Sequence, residues 1–298
     1  MERFTIRRII TAIYNRLPIN LTYRLSKYLV LDDPLRLIKV GQVNLLYWIP
    51  TVDNNVGDYL SKVVFEYTKQ HFGILSNKSN STKRLACIGS ILNFISGGES
   101  VVWGSGLKNE INDMLIDKRR RVSLDIRAVR GPKTRHELIK AGFECPEIYG
   151  DPALLLPLFY MPDVKKQKGK ITLIPHYTKL ADYQDNHFNI LSTVTTDWKH
   201  FVDEICSSEC IISSSLHGLI LGEAYGVPSI MLWDDADSIF KYEDYYASTN
   251  RSMTYITDLN SFNISMSNKL DDNILRNIQV NLLNSFPIEL FTDKSSGV

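Results

Sequence analysis

Short apolar runs alternate with segments of helical periodicity along most of this chain, and this alternation limits the folds that it can adopt. Residues 43–49 form an apolar run typical of a buried strand. Apolar residues at helical spacing follow, and Gly73 is well placed to end that helix. Later runs at 84–92, 101–106, 123–131, 171–176, 210–215 and 227–233 repeat the strand pattern. Strands separated by helices predict parallel sheets with right-handed crossovers, and therefore an α/β protein.

The chain is long enough for two such units. Its 298 residues are 44% hydrophobic, which is sufficient to bury a substantial core. Charged and turn residues cluster at 161–170, which we predict to be a linker. We therefore expect a basic amphipathic segment over 1–40, a Rossmann-like domain over 41–162, and a second over 163–298 that includes a terminal helix. Ligands of open parallel sheets bind at the carboxyl ends of strands, so the two domains should face a cleft.

Charge and cysteine content narrow the functional class. Lys and Arg number 34 against 33 for Asp and Glu, a balance that argues against nucleic-acid binding through a strongly positive surface. Four cysteines are too few for a disulfide-stapled secreted protein of this length, which favours a cytoplasmic location. Cys206 and Cys210 lack the second pair or nearby histidines that would complete a tetrahedral site, so we expect no metal.

Residues 1–30 combine a basic and an apolar pattern. Six Lys or Arg residues stand against the single acidic residue Glu2, and apolar residues recur at nearly helical spacing. No uninterrupted apolar stretch resembles a secretory signal. A basic amphipathic helix on the inner face of the cytoplasmic membrane is one interpretation. The other is a helix that packs on the body of the protein with its basic face in water.

The segment 212–228 carries the strongest chemical signal. Ser213, Ser214 and Ser215 end an apolar strand and begin a helix with no intervening loop. Serine hydroxyls are expected to cap such a helix, while free backbone N–H groups and the helix dipole attract a phosphate or carboxylate. His217 lies in the first turn, where a neutral imidazole can give or take a proton near pH 7. The alternative is an ordinary capped helix with an incidental histidine.

The order of several short motifs resembles one family. S-x-S-L-H-G at 213–218, followed by E-A-Y-G-V-P at 223–228, is similar to the carboxyl-terminal signature of the polysaccharide pyruvyltransferases. Other motifs agree in order: N-x-G-D at 55–58, glycine-bearing strand ends at 88–92 and 102–106, R-G-P-K-T-R at 130–135, G-D-P at 150–152 and I-P-H-Y at 174–177. The resemblance covers about residues 43–233.

The resemblance implies a fold and a reaction. Members have two Rossmann-like domains facing a cleft, similar to the B-type glycosyltransferases. They transfer the pyruvyl group of phosphoenolpyruvate onto two hydroxyls of a glycan sugar as a cyclic ketal, during bacterial capsule and exopolysaccharide synthesis. Phosphoenolpyruvate is then the donor substrate, no cofactor is expected, and the glycan acceptor is expected to be lipid-linked.

The same resemblance suggests roles for particular residues. His217 is predicted to deliver a proton to C3 of the donor. Asp58 is predicted to accept a proton from a sugar hydroxyl, or to stabilise its own helix as an N-cap or first-turn acid. Arg130 is the predicted partner of the donor's phosphate. The remaining predicted substrate contacts are Asn55, Gly57, Arg127, His176, Ser214, Ser215 and Leu216.

Three observations qualify this assignment. Many members carry S-x-R-L-H, whereas this chain has Ser215 in place of the arginine, which leaves the anion-binding group to be identified. Arg127 and Arg130 lie three apart on a strand and are expected to point to opposite faces. Asp151 precedes a proline after a strand end, where a structural turn is the expected role.

Aromatic residues suggest a second kind of contact. Tyr242, Tyr245 and Tyr246 follow the last clear strand and predict an aromatic loop, which is either suited to carbohydrate or partly buried under the terminal helix. Trp103 and Trp233 lie near strand ends and are expected to pack in the core.

Two other functions are compatible with the pattern. A glycosyltransferase of similar shape would use a nucleotide sugar and would need an acid for the ribose, for which Glu223 is the only candidate that we identify. A silent partner on the membrane surface within a capsule-assembly complex is the third reading, supported by the departure at Ser215.

Overall fold

A computed structural model gives the fold of most of the chain. It describes residues 35–40, 43–48, 54–74, 84–95, 98–111, 122–183 and 187–291. The basic segment over 1–30, for which the sequence leaves a membrane-surface helix or a packed helix open, lies outside the described residues. In the part of the chain that is described, no helix combines the length and apolar character needed to span a bilayer.

The first half of the chain forms a five-stranded sheet whose strands follow one another in chain order. Its strands are β1 (Leu35–Val40), β2 (Val43–Trp48), β3 (Arg84–Ala86), β4 (Gly98–Trp103) and β5 (Val122–Ala128). β1 pairs antiparallel with β2, and every later pairing is parallel. Residues 35–40 therefore belong to this sheet, and the boundary predicted at residue 40 falls within the β1–β2 hairpin. Helices α1 (Val56–His71) and α2 (Pro132–Lys140) follow β2 and β5.

The second half forms another five-stranded sheet, which is parallel throughout. Its strands are β6 (Ile171–Ile174), β7 (Asn189–Ile190), β8 (Cys210–Ser213), β9 (Ser229–Leu232) and β10 (Tyr255–Ile256), in the order β10-β9-β8-β6-β7. Helices α3 (Trp198–Cys206), α4 (Leu216–Ala224), α5 (Ile239–Ser248) and α6 (Asp272–Asn284) connect or follow these strands. The mixed α/β architecture with two mainly parallel sheets agrees with the sequence prediction.

Local signals explain where several helices begin and end. The Asn55 side chain accepts a hydrogen bond from the Gly57 N–H at 2.9 Å and so caps α1. Gly73, at φ 65°, follows the end of α1 in the left-handed conformation that glycine adopts without a steric penalty. Pro132 occupies the first turn of α2, where its missing N–H has no cost.

The two sheets share a continuous apolar core. One buried cluster contains Leu45 and Val101 from the first sheet together with Ile174 and Ile211 from the second. Helix α6 also returns to the first half, where the Trp103 indole N–H donates to the Leu282 carbonyl at 2.8 Å. Trp103 is fully buried, which confirms that it packs in the core.

The aromatic segment after β9 differs from its prediction. It is helix α5, and Tyr242, Tyr245 and Tyr246 are buried in the core rather than displayed on a loop. Residues at spacings of three and four share one face of a helix, so the same pattern that looked like an aromatic loop buries all three rings. The interpretation of this segment as a carbohydrate-binding loop is wrong.

Candidate active site

A cleft lies where the carboxyl ends of strands from both sheets meet. Its volume is about 120 Å³, which leaves room for a small molecule. Its walls come from the segments that follow β2, β3, β4, β6, β8 and β9, as expected for ligand sites in parallel sheets. The lining residues are Trp48, Asn55, Asp58, Ser90, Ile91, Phe94, Lys108, His176, Tyr177, Ser215, Leu216, His217, Asp237 and Lys241.

The amino terminus of α4 faces this cleft. Ser215 is the N-cap residue, yet within the described chain its side chain makes no capping hydrogen bond. The Ser213 hydroxyl instead donates to the Ile174 carbonyl at 2.9 Å, and the Ser214 hydroxyl accepts from the His176 N–H at 2.9 Å. The prediction that serine hydroxyls cap this helix is therefore wrong, because they fix the neighbouring strand ends. No side chain among the described residues caps the first-turn N–H groups of α4 at the cleft.

His217 is held in place by the first half of the chain. Its ring lies directly against Gly57, where a Cβ would come within 1.9 Å of Nδ1. Its Nε2 lies 3.8 Å from a carboxylate oxygen of Asp151. This nitrogen is buried and has no hydrogen-bond partner among the described residues. Gly57 therefore allows the histidine of α4 to reach the amino terminus of α1.

The electrostatics of the cleft keep His217 neutral. Burial, followed by the positive charges of Lys241 and Arg130, lowers the pKa of His217 to about 3. At pH 7 the imidazole therefore carries no charge, and it can accept a proton or donate a hydrogen bond.

The pKa of Asp58 is shifted in the opposite direction. Burial raises the pKa of this carboxyl to about 7, with Lys241 opposing the shift and the charges of Asp151 and Asp237 adding to it. Its Oδ1 lies 3.1 Å from the place where a Cβ would stand at Gly89, so glycine there leaves room for the carboxyl. Near neutral pH, both protonation states of Asp58 are populated.

Asp151 has a contact that the sequence did not reveal. Its Oδ1 accepts from the Ala153 N–H at 3.0 Å, which confirms the predicted turn role. The other carboxylate oxygen faces His217. Burial raises the pKa of Asp151 to about 6, although the Ala153 hydrogen bond and the Arg130 charge lower it. A second buried carboxyl therefore stands beside the imidazole.

A cluster of charged groups also lines the cleft. Lys241 is buried and pairs with the Asp237 carboxylate, to which the ammonium of Lys108 also approaches, at 3.1 Å. His176 joins them, with Nε2 3.4 Å from Asp237. Burial alone would raise the pKa of Asp237, but hydrogen bonds from His176 and Lys241 and the two lysine charges hold it well below its usual value. Burial lowers the pKa of Lys241, and Asp237 opposes that shift.

Arg130 lies behind the cleft wall. Its side chain is 1% exposed, and its Nε and Nη2 each lie 3.0 Å from the same oxygen of Asp244. The guanidinium also donates to the Ser90 hydroxyl at 2.5 Å and to the Leu107 carbonyl at 2.6 Å. Arg130 therefore supports the wall through Ser90, and it is not among the described residues that line the cleft.

Arg127 occupies a different environment. It lies on the half-exposed side of β5 and pairs with Asp125, Nε to Oδ1 at 2.6 Å, and with Glu289. The two arginines do face different surroundings, as their spacing predicted. Within the described chain, Arg127 does not line the cleft.

The structure brings most of the predicted residues together and adds others. Those predicted from sequence that line the cleft are Asn55, Asp58, His176, Ser215, Leu216 and His217, with Gly57 and Ser214 directly behind them. Those that sequence reasoning missed are Trp48, Ser90, Ile91, Phe94, Lys108, Tyr177, Asp237 and Lys241. The rings of Trp48 and Phe94 meet at 5.2 Å between centroids and form an aromatic wall. Ser90 and Ile91 belong to the motif at 88–92 and Tyr177 to the motif at 174–177, whereas the sequence signal for the others was a position at or after a strand end.

The comparison with protein families decides the class. The family model of the polysaccharide pyruvyl transferases matches residues 55–235, which is more than half of the chain. The chain belongs to the polysaccharide pyruvyl transferase family. The matched range includes Asp58, Asp151 and His217 but ends before Asp237 and Lys241. No curated protein and no solved structure is similar enough to the chain to match.

Proposed function

We propose that this enzyme transfers the pyruvyl group of phosphoenolpyruvate onto two hydroxyls of a glycan sugar as a cyclic ketal and releases phosphate. The observation that carries the proposal is the pairing, in one cleft, of a carboxyl whose pKa is raised to about 7 with a neutral histidine. Both face the uncapped amino terminus of α4, where an anion is stabilised. Membership of the family supports the reaction class.

The donor carries a carboxylate and a phosphate on the same carbon, so its binding site needs several N–H donors or cations. The first turn of α4, at Ser215 and Leu216, offers backbone N–H groups and the positive end of the helix dipole. Lys108 and Lys241 line the same cleft. With Arg130 engaged by Asp244, these lysines are better placed than the motif arginine to contact the donor directly.

In the first chemical step, an acceptor hydroxyl adds to C2 of the donor while a proton reaches C3. The resemblance suggested His217 as the acid and Asp58 as the base. The pKa values favour the opposite assignment, because a group with a pKa of about 7 is still half protonated at neutral pH, whereas one of about 3 is not. We assign proton delivery to Asp58 and uptake of the hydroxyl proton to His217.

In the second step, the C–O bond to phosphate breaks and an oxocarbenium-like centre forms at C2. The second hydroxyl attacks this centre and closes the ketal, and its proton leaves with the phosphate. The α4 amino terminus and the lysines stabilise the charge on the departing phosphate. Asp151, 3.8 Å from the His217 Nε2, stabilises the imidazolium that forms when His217 takes up a proton.

The alternative function, a glycosyltransferase that uses a nucleotide sugar, needs an acid that binds the ribose, and its candidate Glu223 is engaged elsewhere. Glu223 is buried, and its carboxylate accepts from Arg251 at 3.0 and 2.6 Å and from the Tyr245 hydroxyl at 2.7 Å. It holds α4 to α5 and does not line the cleft in the described chain. The deciding experiment incubates the enzyme with phosphoenolpyruvate and lipid-linked glycan acceptors and measures phosphate release and the mass of the acceptor. Turnover with nucleotide sugars instead, or none with any donor, would overturn the proposal.

We also propose that residues 1–30 hold the enzyme at the inner face of the cytoplasmic membrane, where a lipid-linked acceptor is displayed. Each Lys or Arg near an anionic surface contributes about 1 kcal/mol, so the basic residues of this segment together suffice for binding at low salt. Deleting the segment should abolish salt-sensitive binding to anionic vesicles and spare activity on a soluble acceptor. Equal vesicle binding by the truncated protein would contradict the idea.

A further inference from the structure

The charged cluster in the cleft is built around an anion of the protein itself, the Asp237 carboxylate. The Asp237 carboxylate pairs with the Lys241 ammonium. It also lies 3.1 Å from Lys108 Nζ and 3.4 Å from His176 Nε2. It also accepts from the N–H of Ser238 at 2.8 Å. These side-chain donors come from the segments after β4, β6 and β9, so the tertiary fold gathers them from both sheets around one carboxylate.

A buried lysine explains why that carboxylate is present. Lys241 is 8% exposed, and a desolvated ammonium without a counter-ion is strongly unfavourable. In the structure Asp237 supplies the negative charge. A bound carboxylate or phosphate would supply the same charge to the same donors, since both present oxygen atoms that lysine and histidine N–H groups bind.

We propose that Lys108, His176 and Lys241 form an anion subsite, and that the Asp237 carboxylate occupies it until a carboxylate or phosphate group of the ligand takes its place. The inference takes from the proposed function only that an anion enters this cleft. Asp237 and the ligand then compete for one set of donors. The side chain of Asp237 is 10% exposed at the cleft, on the segment between β9 and α5.

The position of Asp237 suits this role. The segment from Trp233 to Ser238 is half-buried to exposed, and Asp235 within it adopts φ 54°, a left-handed conformation uncommon for residues other than glycine. Trp233 packs against the core, but residues 234–238 are half-buried to exposed and lie outside any strand or helix. The carboxylate can therefore turn away from the lysines without unfolding a strand or helix. The neighbouring Asp234 is held separately, by the Tyr183 hydroxyl at 3.0 Å and the Ala236 N–H at 3.1 Å.

The competing explanation is that Asp237 is a positioning residue. It would then fix Lys241 and His176 for the ligand, and it would stabilise the amino terminus of α5 through the helix dipole. The two explanations predict opposite signs. Removing a competitor tightens anion binding, whereas removing a positioning residue weakens it.

Titration calorimetry of Asp237→Asn with inorganic phosphate, pyruvate and phosphoenolpyruvate tests the inference. Inorganic phosphate or pyruvate, or both, should bind about tenfold more tightly than to the wild type, which corresponds to about 1.4 kcal/mol. A gain in affinity for inorganic phosphate would show that the phosphate of phosphoenolpyruvate binds in the subsite, and a gain for pyruvate would show that its carboxylate does. Asp234→Asn is the matched control, since it removes the same charge three residues away and should leave binding unchanged.

Two further variants keep the test decisive. Asp237→Glu retains the charge and should bind phosphate no more tightly than the wild type. If Asp237→Asn fails to fold, as judged by thermal melting, Asp237→Ser repeats the charge change with a smaller side chain. Unchanged or weaker binding of all three anions by the folded neutral variants would overturn the inference. If the neutral variants bind anions more tightly but the wild type transfers no pyruvyl group, the subsite is supported and the proposed function is refuted.

Discussion

Replacing Asp58 by Asn should make the protein more stable at alkaline pH and far less active. The folded protein raises the pKa of Asp58 from 3.8 to about 7, chiefly by burial. A carboxyl with a raised pKa binds more protons in the native state than in the unfolded state between these values. The wild type therefore loses stability as the pH rises from about 4 to about 7, and the loss levels off above that range.

The size of the pKa shift at Asp58 determines how much stability is lost. With the pKa values above, linkage predicts that the wild type loses about 2.5 kcal/mol between pH 5 and pH 8 relative to a variant with no ionisable group at residue 58. Asparagine has nearly the same shape and no charge. Asp151 titrates in part of the same window, because its pKa is raised to about 6, so the comparison is made between variant and wild type rather than within one protein.

Urea unfolding at pH 5 and pH 8 measures the two free energies, and Asp163→Asn at an exposed position serves as the control. The stability difference between Asp58→Asn and the wild type should grow with pH, while that of the control should not. Turnover of Asp58→Asn should fall by about 10²-fold or more if Asp58 delivers the proton. A stability difference independent of pH would refute the electrostatic reasoning, and full activity would remove Asp58 from the mechanism.

Three further predictions concern two residues at the cleft and the two arginines outside it. His217→Ala should lower turnover by about 10²-fold in a protein that still folds, as judged by thermal melting, and near wild-type turnover would exclude His217 from the chemistry. Gly57→Ala should lower turnover comparably in a folded protein, because its Cβ would come within 1.9 Å of His217 Nδ1; full activity would mean that the ring position is unimportant. Arg130→Ala should cost about 3–5 kcal/mol of unfolding free energy by leaving Asp244 buried and unpaired. Arg127→Ala should cost at most about 1 kcal/mol, as for a surface pair, and equal losses in urea unfolding would contradict this distinction.

Local signals were enough to predict a mixed α/β fold with two mainly parallel sheets. The apolar strands, the Gly73 stop of α1 and Pro132 at the start of α2 depend on backbone preferences that act within a few residues. The position of motifs after strand ends then predicted that they would meet, because parallel strands present their carboxyl ends at one edge. Helix α5 was missed because its apolar face is built of tyrosines, whose hydroxyls made the segment look like a polar loop.

Partners distant in the sequence could not be predicted in this way. Arg130 and Asp244 are separated by 114 residues, and nothing in the sequence indicates that the arginine is neutralised by an aspartate from α5. Lys108 and Lys241 look like ordinary surface lysines until the two halves bring them together at Asp237. The protonation states of Asp58 and His217 depend on burial, which is a property of the assembled cleft.

The glycines of the motifs show how the two halves depend on each other. A Cβ at Gly57 would strike His217, and a Cβ at Gly131 would lie 2.0 Å from the Asp244 carbonyl oxygen. Both glycines belong to the first half, and both obstructing residues belong to helices of the second. A glycine-bearing motif after a strand is usually taken as a place where the backbone approaches a phosphate. At these two positions the glycine instead makes room for the other half of the chain, so the motif spacing in one half reflects the packing of the other.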